Sequence, residues 1–248
     1  MSQLDTAPLR SDIRSQNGTV DLFALGRAAT VVRSSLHGST CVFTRSRRLL
    51  GSGVWHGPRD AADSFVEQSD VEPNGGLSAC AKAGVRTLLA SDVRTARTAF
   101  DFGLRCLLRL PYQSGEPATE RRERLYVVHE ALQKALPNGT IIDGVVPTPV
   151  GEALGLDTLV FMATCRTQLS VGHVVADFAR LGHRLAQMSL AFGASELFGP
   201  IVSERALRLG DNANNPAMTR KEVATFIHGA SLTPLERVSG GRVEEVAL

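Results

Sequence analysis

Arginines spaced along an apolar run are the strongest chemical signal in this chain. In Gly103-Leu-Arg-Cys-Leu-Leu-Arg-Leu110, Arg105 and Arg109 fall on one face of a strand, opposite Cys106, Leu108 and Leu110. A guanidinium on a buried strand needs an acceptor, and its planar fork suits carboxylates and phosphates. In one reading Arg109, with Tyr112 and Glu116 beyond it, lines a polar pocket that binds a ligand, and Arg105 shares its face. In the other, the two arginines form structural salt bridges to Asp143 or Glu152.

Asp177 and His183 flank a later strand end, and an Asp and a His held close together make an acid–base pair. Six residues apart across a strand-to-helix turn, they serve equally well as a helix cap and a surface contact. His173 opens that strand and reads as solvated, and Glu204 with Arg205 reads as an ion pair. The segment Gly51-Ser-Gly-Val-Trp-His-Gly-Pro-Arg-Asp60 holds the chain's one tryptophan. Its glycines let backbone bend sharply or approach a ligand, so Trp55 and Arg59 join the candidate ligand-binding residues, with a buried anchor as the competing role for Trp55. The segment is neither a Walker loop nor a dinucleotide fingerprint. Asp211-Asn-Ala-Asn-Asn-Pro216 fails the spacing of a calcium loop. No Ser-His-Asp, CxxC, HExxH or paired-carboxylate pattern stands out, and no metal site is expected.

The elements that must position these residues follow from periodicity. Helical spacing runs over 20–36 and stops at Gly38. Cys41–Thr44 reads as a strand, and Pro58–Gln68 as a short helix with proline in its first turn. Strands then alternate with helices: strands at 84–90, 103–110, 140–146 and 173–178, helices at 91–102, 119–136, 157–169 and 182–192, and a short apolar strand near 197–202. Thr219 and Glu222 form a capping box for a helix to His228. Alternation without hairpin turns predicts an α/β fold, a shortened TIM-type βα barrel of about five or six mainly parallel strands. Residues 1–19 read as a loose terminus and 20–248 as one partial-barrel domain.

Composition narrows the function classes. The chain has 248 residues, 43% hydrophobic and 21% charged, with a net charge of +2. That balance gives no electrostatic case for nucleic acid or a membrane surface. No apolar run approaches a membrane span, and no secretory h-region opens the sequence. Cys41, Cys80, Cys106 and Cys165 are widely separated in apolar surroundings, as expected of reduced thiols in a cytoplasmic protein.

The stretch Leu181-Gly-His-Arg-Leu-Ala-Gln-Met-Ser-Leu-Ala-Phe-Gly-Ala194, followed by Leu197, Gly199, Val202 and Glu204, resembles the C-terminal signature of the radical-SAM family of aminofutalosine synthase, dehypoxanthinyl futalosine cyclase and deazaflavin synthase. Gly103-Leu-Arg105, Tyr112, Glu116, Val145-Val-Pro-Thr-Pro149, Thr219, Glu222 and Pro234-Leu-Glu-Arg237 are similar too. An N-terminal echo is fainter: a helix, His37-Gly38 and the strand Cys41–Thr44. The resemblance implies a βα barrel with a 4Fe–4S cluster and SAM, held by a CxxxCxxC motif. Where that motif should follow, this chain has Leu49-Leu-Gly-Ser-Gly-Val-Trp55. On length, the resemblance leaves about the first three βα units of the barrel unaccounted for.

The expectation is therefore a catalytically degenerate relative without a cofactor. It would bind a small molecule or a partner, with a link to menaquinone precursor biosynthesis. A homodimer, or a complex with a full-length synthase, would cover an exposed sheet edge. Two alternatives stand beside it. One is a cofactor-independent enzyme using Asp177, His183 and Arg109; the other is an iron–sulfur or metal enzyme with a non-standard cysteine set.

Overall fold

Parallel strands buried on both faces form the centre of the protein, which explains why runs such as Cys106-Leu-Leu108 and Val174-Val-Ala176 are continuously apolar. A computed structural model describes residues 21–57, 61, 63–135, 142–151, 155–203, 217–238 and 242–247. The expected loose terminus, Arg59, Glu152, the Glu204–Arg205 pair and the Asp211–Pro216 turn lie outside the described residues.

In chain order the described elements are α1 (Leu22–His37), β1 (Thr40–Phe43), β2 (Ser46–Leu49), β3 (Trp55–His56), β4 (Asp63–Glu67), α2 (Gln68–Val71), α3 (Gly76–Lys82), β5 (Thr87–Ala90), α4 (Val93–Asp101) and β6 (Arg105–Tyr112). They continue with α5 (Ala118–Ala135), β7 (Ile142–Pro149), α6 (Leu156–Gln168), β8 (Val171–Asp177), α7 (Phe178–Leu181), α8 (His183–Leu190), β9 (Glu196–Phe198), β10 (Ile201–Val202), β11 (Met218–Thr219), α9 (Arg220–His228), β12 (Thr233–Arg237) and β13 (Val243–Glu245). Local chemistry sets the helix starts. Asp21 accepts from the amides of Phe23 and Ala24 to open α1, and Thr219 and Glu222 complete the expected capping box of α9.

The main sheet runs β13-β12-β1-β9-β8-β7-β6-β5-β4-β2-β3, parallel except for β3 and β13. Its curl is dictated by chain continuity. β1 pairs with β9 and β12, whereas β2 pairs with β4 and β3, yet only Thr44 and Arg45 separate β1 from β2. One extended segment thus joins both flanks of the sheet, giving the expected partial barrel. The strands expected near 41–44, 84–90, 103–110, 140–146, 173–178 and 197–202 are all present. Where a helix is expected over Pro58–Gln68, the described residues Asp63–Glu67 form β4, which leads into α2. Phe65 and Val66 there point to opposite faces, so the segment carries the period of a strand.

Alternation splits the strand residues between two layers. Val66, Leu88, Cys106, Leu108, Val145, Val174 and Ala176 face the helices and pack with Leu125, Phe161 and Ala186. Leu89, Leu107, Val146, Val175 and Phe198 face inward as a separate apolar cluster, with Phe65 packed on it. Phe65 on β4 meets Phe198 on β9 edge to face, ring centroids 5.1 Å apart. This contact crosses the lumen and fills it with side chains.

Candidate functional site at the C-terminal ends of the strands

Inward-facing residues above and below the apolar layer are polar. By register and alternation Arg48, Glu67, Arg109 and Asp177 share the inner face at the C-terminal ends of β2, β4, β6 and β8. This is the end at which parallel βα sheets place their ligands. Glu67 Oε1 accepts from Arg109 Nη2 at 3.0 Å and lies 3.0 Å from Arg48 Nη1. Asp70, on α2, takes the rest of Arg48 through Nη2 at 2.8 Å and Nε at 3.2 Å, and accepts from the Gly51 amide.

Arg109 is left with a spare donor. Its side chain is 13% exposed, and Nη1 is buried without a hydrogen-bond partner. Burial lowers the guanidinium from its ordinary value, Glu67 and Asp177 pull it back up, and Arg180 and Arg48 oppose them. Asp177 is buried beside it and is raised, first by burial, against the pull of Arg109 and Arg180. It also opens α7 by accepting from the Ala179 amide at 3.1 Å, the capping role weighed above. A buried guanidinium with one free N–H, next to a half-compensated carboxyl, can hold a ligand acceptor such as a carboxylate oxygen.

Other expected members lie elsewhere. Tyr112 is not beside Arg109: β6 continues through Pro111, so Tyr112 shares the helix-facing side of Leu108 and Leu110. There its hydroxyl meets Thr158 Oγ1 at 2.6 Å and its ring stacks on Phe161. Glu116 accepts from Arg124 Nη2 at 2.7 Å, part of the lead into α5. Trp55 packs against the helix-side core under Arg47, whose guanidinium carbon is 4.2 Å from the ring centroid. Asp177 caps α7, and His183 packs edge-on to Phe178 and Phe226.

Arg105 goes to the opposite end of the barrel. Its Nη2 is 2.5 Å from Glu196 Oε2, so its ion-pair partner is Glu196 and not the expected Asp143, while Glu152 lies outside the described residues. Arg109 likewise takes Glu67 and not Asp143. Asp143 accepts the Cys106 amide and acts on Arg105 only through space. His173 is not solvated: burial takes it down to about 4, its Nδ1 meets Ser195 Oγ at 3.1 Å, and its ring stacks on His37. Arg48 and Glu67 were missed for a local reason. They sit on short strands preceded or followed by loop residues, and only the parity of Arg48 with Ser46, and of Glu67 with Phe65, would have exposed them.

The residues present do not fit a cluster. An iron–sulfur cluster open to SAM needs three thiolates from one loop. Cys41, Cys80, Cys106 and Cys165 are each fully buried, on β1, α3, β6 and α6, in the helix-facing core. Burial raises all four thiols, with Cys106 pushed up to about 12. Among the described residues no group of His, Cys, Asp and Glu is placed to hold a metal ion, and no helix is long and apolar enough to cross a membrane.

No family model matches the chain, but curated relatives do. A 5-amino-6-(D-ribitylamino)uracil–L-tyrosine 4-hydroxyphenyl transferase of Methanosarcina acetivorans is 30% identical over 176 residues, 64% of this chain and 46% of the relative. An aminodeoxyfutalosine synthase of Thermus thermophilus is 32% identical over 84 residues, 34% of this chain and 23% of the relative. The matches thus span less than half the length of these relatives. Among solved structures, methylornithine synthase superposes with a TM-score of 0.63 at 12% identity, covering 94% of both chains. HydG, a maturase of the FeFe-hydrogenase, gives 0.55 at 10% identity over 90% of this chain and 70% of that one. With the sequence signature and the curled parallel sheet, these likenesses make the chain a relative of the radical-SAM aminofutalosine and deazaflavin synthase family, in a form that lacks the CxxxCxxC motif.

Proposed function

We propose that this protein is a binding protein of radical-SAM descent that takes a small carboxylate at the C-terminal end of its curled sheet. The observation that carries the reading is Arg109, whose buried Nη1 has no protein partner. Glu67 holds the other arm of that guanidinium and so orients the free one. Asp177 stands close enough to act on Arg109 electrostatically and would reject a second negative group on the ligand.

Loss of radical chemistry is part of the same proposal. It is supported by cysteines that sit apart, buried and with raised thiols, on the helix side of the sheet. A place beside menaquinone precursor synthesis is favoured by the aminodeoxyfutalosine synthase relative.

Two measurements test the proposal. Anaerobic reconstitution with iron and sulfide should leave the protein colourless and unable to cleave SAM; a stoichiometric cluster that cleaves SAM sinks the degenerate reading. Benzoate should raise the melting temperature of the wild type, benzamide should not, and Arg109→Met should abolish the benzoate response. Indifference of the wild type to benzoate, or an undiminished response in Arg109→Met, removes the carboxylate site.

A further inference from the structure

Asp70 on α2, Arg48 on β2, Glu67 on β4 and Arg109 on β6 alternate in charge, and each touches the next. Asp70 Oδ2 accepts from Arg48 Nη2 at 2.8 Å and from Nε at 3.2 Å. Arg48 Nη1 lies 3.0 Å from Glu67 Oε1, and Arg109 Nη2 donates to that same oxygen at 3.0 Å. One carboxylate oxygen thus serves two guanidinium groups.

The local sequence sets this row. Arg48 is in register with Phe65, so Glu67, two residues on, shares its face. Gly51 lets α2 come up beside the end of β2, because a Cβ there would stand 3.3 Å from Asp70 Oδ1 and 3.2 Å from Pro73 Cβ. Asn74 Nδ2 then bonds the carbonyls of Leu50 at 2.9 Å and Asp70 at 2.7 Å, which pins α2 to the loop.

Glu67 carries the same chemical group as the ligand assigned to Arg109. A guanidinium and a carboxylate favour two parallel N–H···O bonds, one to each oxygen. Glu67 nevertheless leaves Nη1 of Arg109 without a partner. Arg48 has its own three nitrogens engaged, Nη1 on Glu67 and the other two on Asp70, so it reaches the site through Glu67.

We propose that Glu67 is a built-in competitor for the carboxylate site, and that Arg48, held by Asp70, is the positioning residue that keeps it to one arm of Arg109. The proposal rests on the carboxylate reading of Arg109. With Arg48 in place, Glu67 is divided between two cations and the second arm stays open. Without it, Glu67 turns both oxygens onto Arg109 and closes the site from within. Removing a positive charge also weakens an anion through space, but that effect fades with added salt.

Isothermal titration of the full chain with benzoate, at low and high salt, tests this. Arg48→Met should weaken benzoate by about tenfold or more, the loss expected when a charge-assisted bond is taken by a competitor. The ratio to wild type should not change with salt. Adding Glu67→Gln should restore binding, because an amide has one acceptor oxygen and cannot take both arms. Asp70→Asn frees Arg48 to turn further onto Glu67, so benzoate should bind as well as before or more tightly. Wild-type affinity in Arg48→Met, a ratio that fades with salt, or a double variant as weak as Arg48→Met overturns the proposal. So does a loss in Asp70→Asn of about tenfold, which decides the matter even where Arg48→Met does not fold. A wild type indifferent to benzoate strikes the carboxylate reading, and a crystal structure of Arg48→Met then judges the competitor separately. Glu67 on both terminal nitrogens of Arg109 upholds it; Glu67 still on Nη2 alone overturns it.

Discussion

Replacing Glu196 by Gln keeps the side chain's size and removes only the charge that Arg105, Arg237 and His173 surround. Burial pushes this carboxyl up, but Arg105, His173 and Arg237 outweigh it and bring it down to about 2 from 4.5. The gap, 4.5 − 2, is about 2.5 pH units; at about 1.4 kcal/mol each, the ionised carboxylate contributes on the order of 3 kcal/mol at neutral pH. The folded value lies below the unfolded one. The contribution is therefore complete above 4.5 and is lost as pH falls through that window toward 2. Gln mimics the protonated acid, so Glu196→Gln should cost about 3 kcal/mol near pH 7, in line with breaking a buried ion pair, and should approach wild type at acid pH. Urea unfolding followed by circular dichroism at about pH 7, 5 and 3 measures the difference as a function of pH. Because the cluster is buried, added salt should change it little. A loss below about 1 kcal/mol near neutrality, or one of equal size at every pH, refutes the reasoning.

His173 is held down to about 4 from 6.5, chiefly by burial. Its protonation favours the unfolded chain, so stability present above 6.5 is lost as pH falls toward 4; His173→Gln should flatten that part of the urea-midpoint profile, and parallel profiles would count against it. Gly193→Ala would set a Cβ 2.7 Å from Arg166 Cβ at a φ of +94°. It should cost about 2–3 kcal/mol in thermal unfolding, and a neutral effect would mean that Arg166 can shift. The four cysteines should resist Ellman's reagent in the native protein and all react in denaturant; rapid native labelling of any one would contradict its burial.

The fold was legible wherever period and punctuation agreed. Val174-Val-Ala176 and Leu107-Leu108 read as buried parallel strands because apolar side chains cover both faces. The capping box at Thr219 and Glu222 located α9 to the residue. Pro58 misled: a proline suited to a first helical turn outweighed the strand parity of Asp63, Phe65 and Glu67. The site was half legible. The parity of Arg105 and Arg109 placed them correctly on one face, yet parity says nothing about height along a barrel, and four residues of strand put them at opposite ends. A strand that ends at Leu110 leaves Tyr112 free to turn toward Arg109, whereas β6 runs on through Tyr112 and holds it on the helix-facing side. Glu196 and Arg237 come from strands 41 residues apart in sequence, and their meeting depends on the closure through Thr44 and Arg45, which no local pattern announces.

The apolar layer determines how far kinship with the synthases extends to function. Leu89, Leu107, Val146 and Val175 are fully buried, and Phe65 and Phe198 close the lumen between them. A ligand entering from the C-terminal end stops at this layer and meets Arg48, Glu67, Arg109 and Asp177 on the inner face. Arg48 is held by Glu67 and Asp70, and Glu67 by Arg48 and Arg109. Asp177 is committed to the start of α7. Among these four, Arg109 has an arm to spare. The pairings that fix its neighbours leave that arm no protein acceptor, and at a position closed to bulk water an unmet donor is retained at a cost. Descent accounts for the barrel, but it does not account for this one unpaired guanidinium arm, and a bound acceptor would.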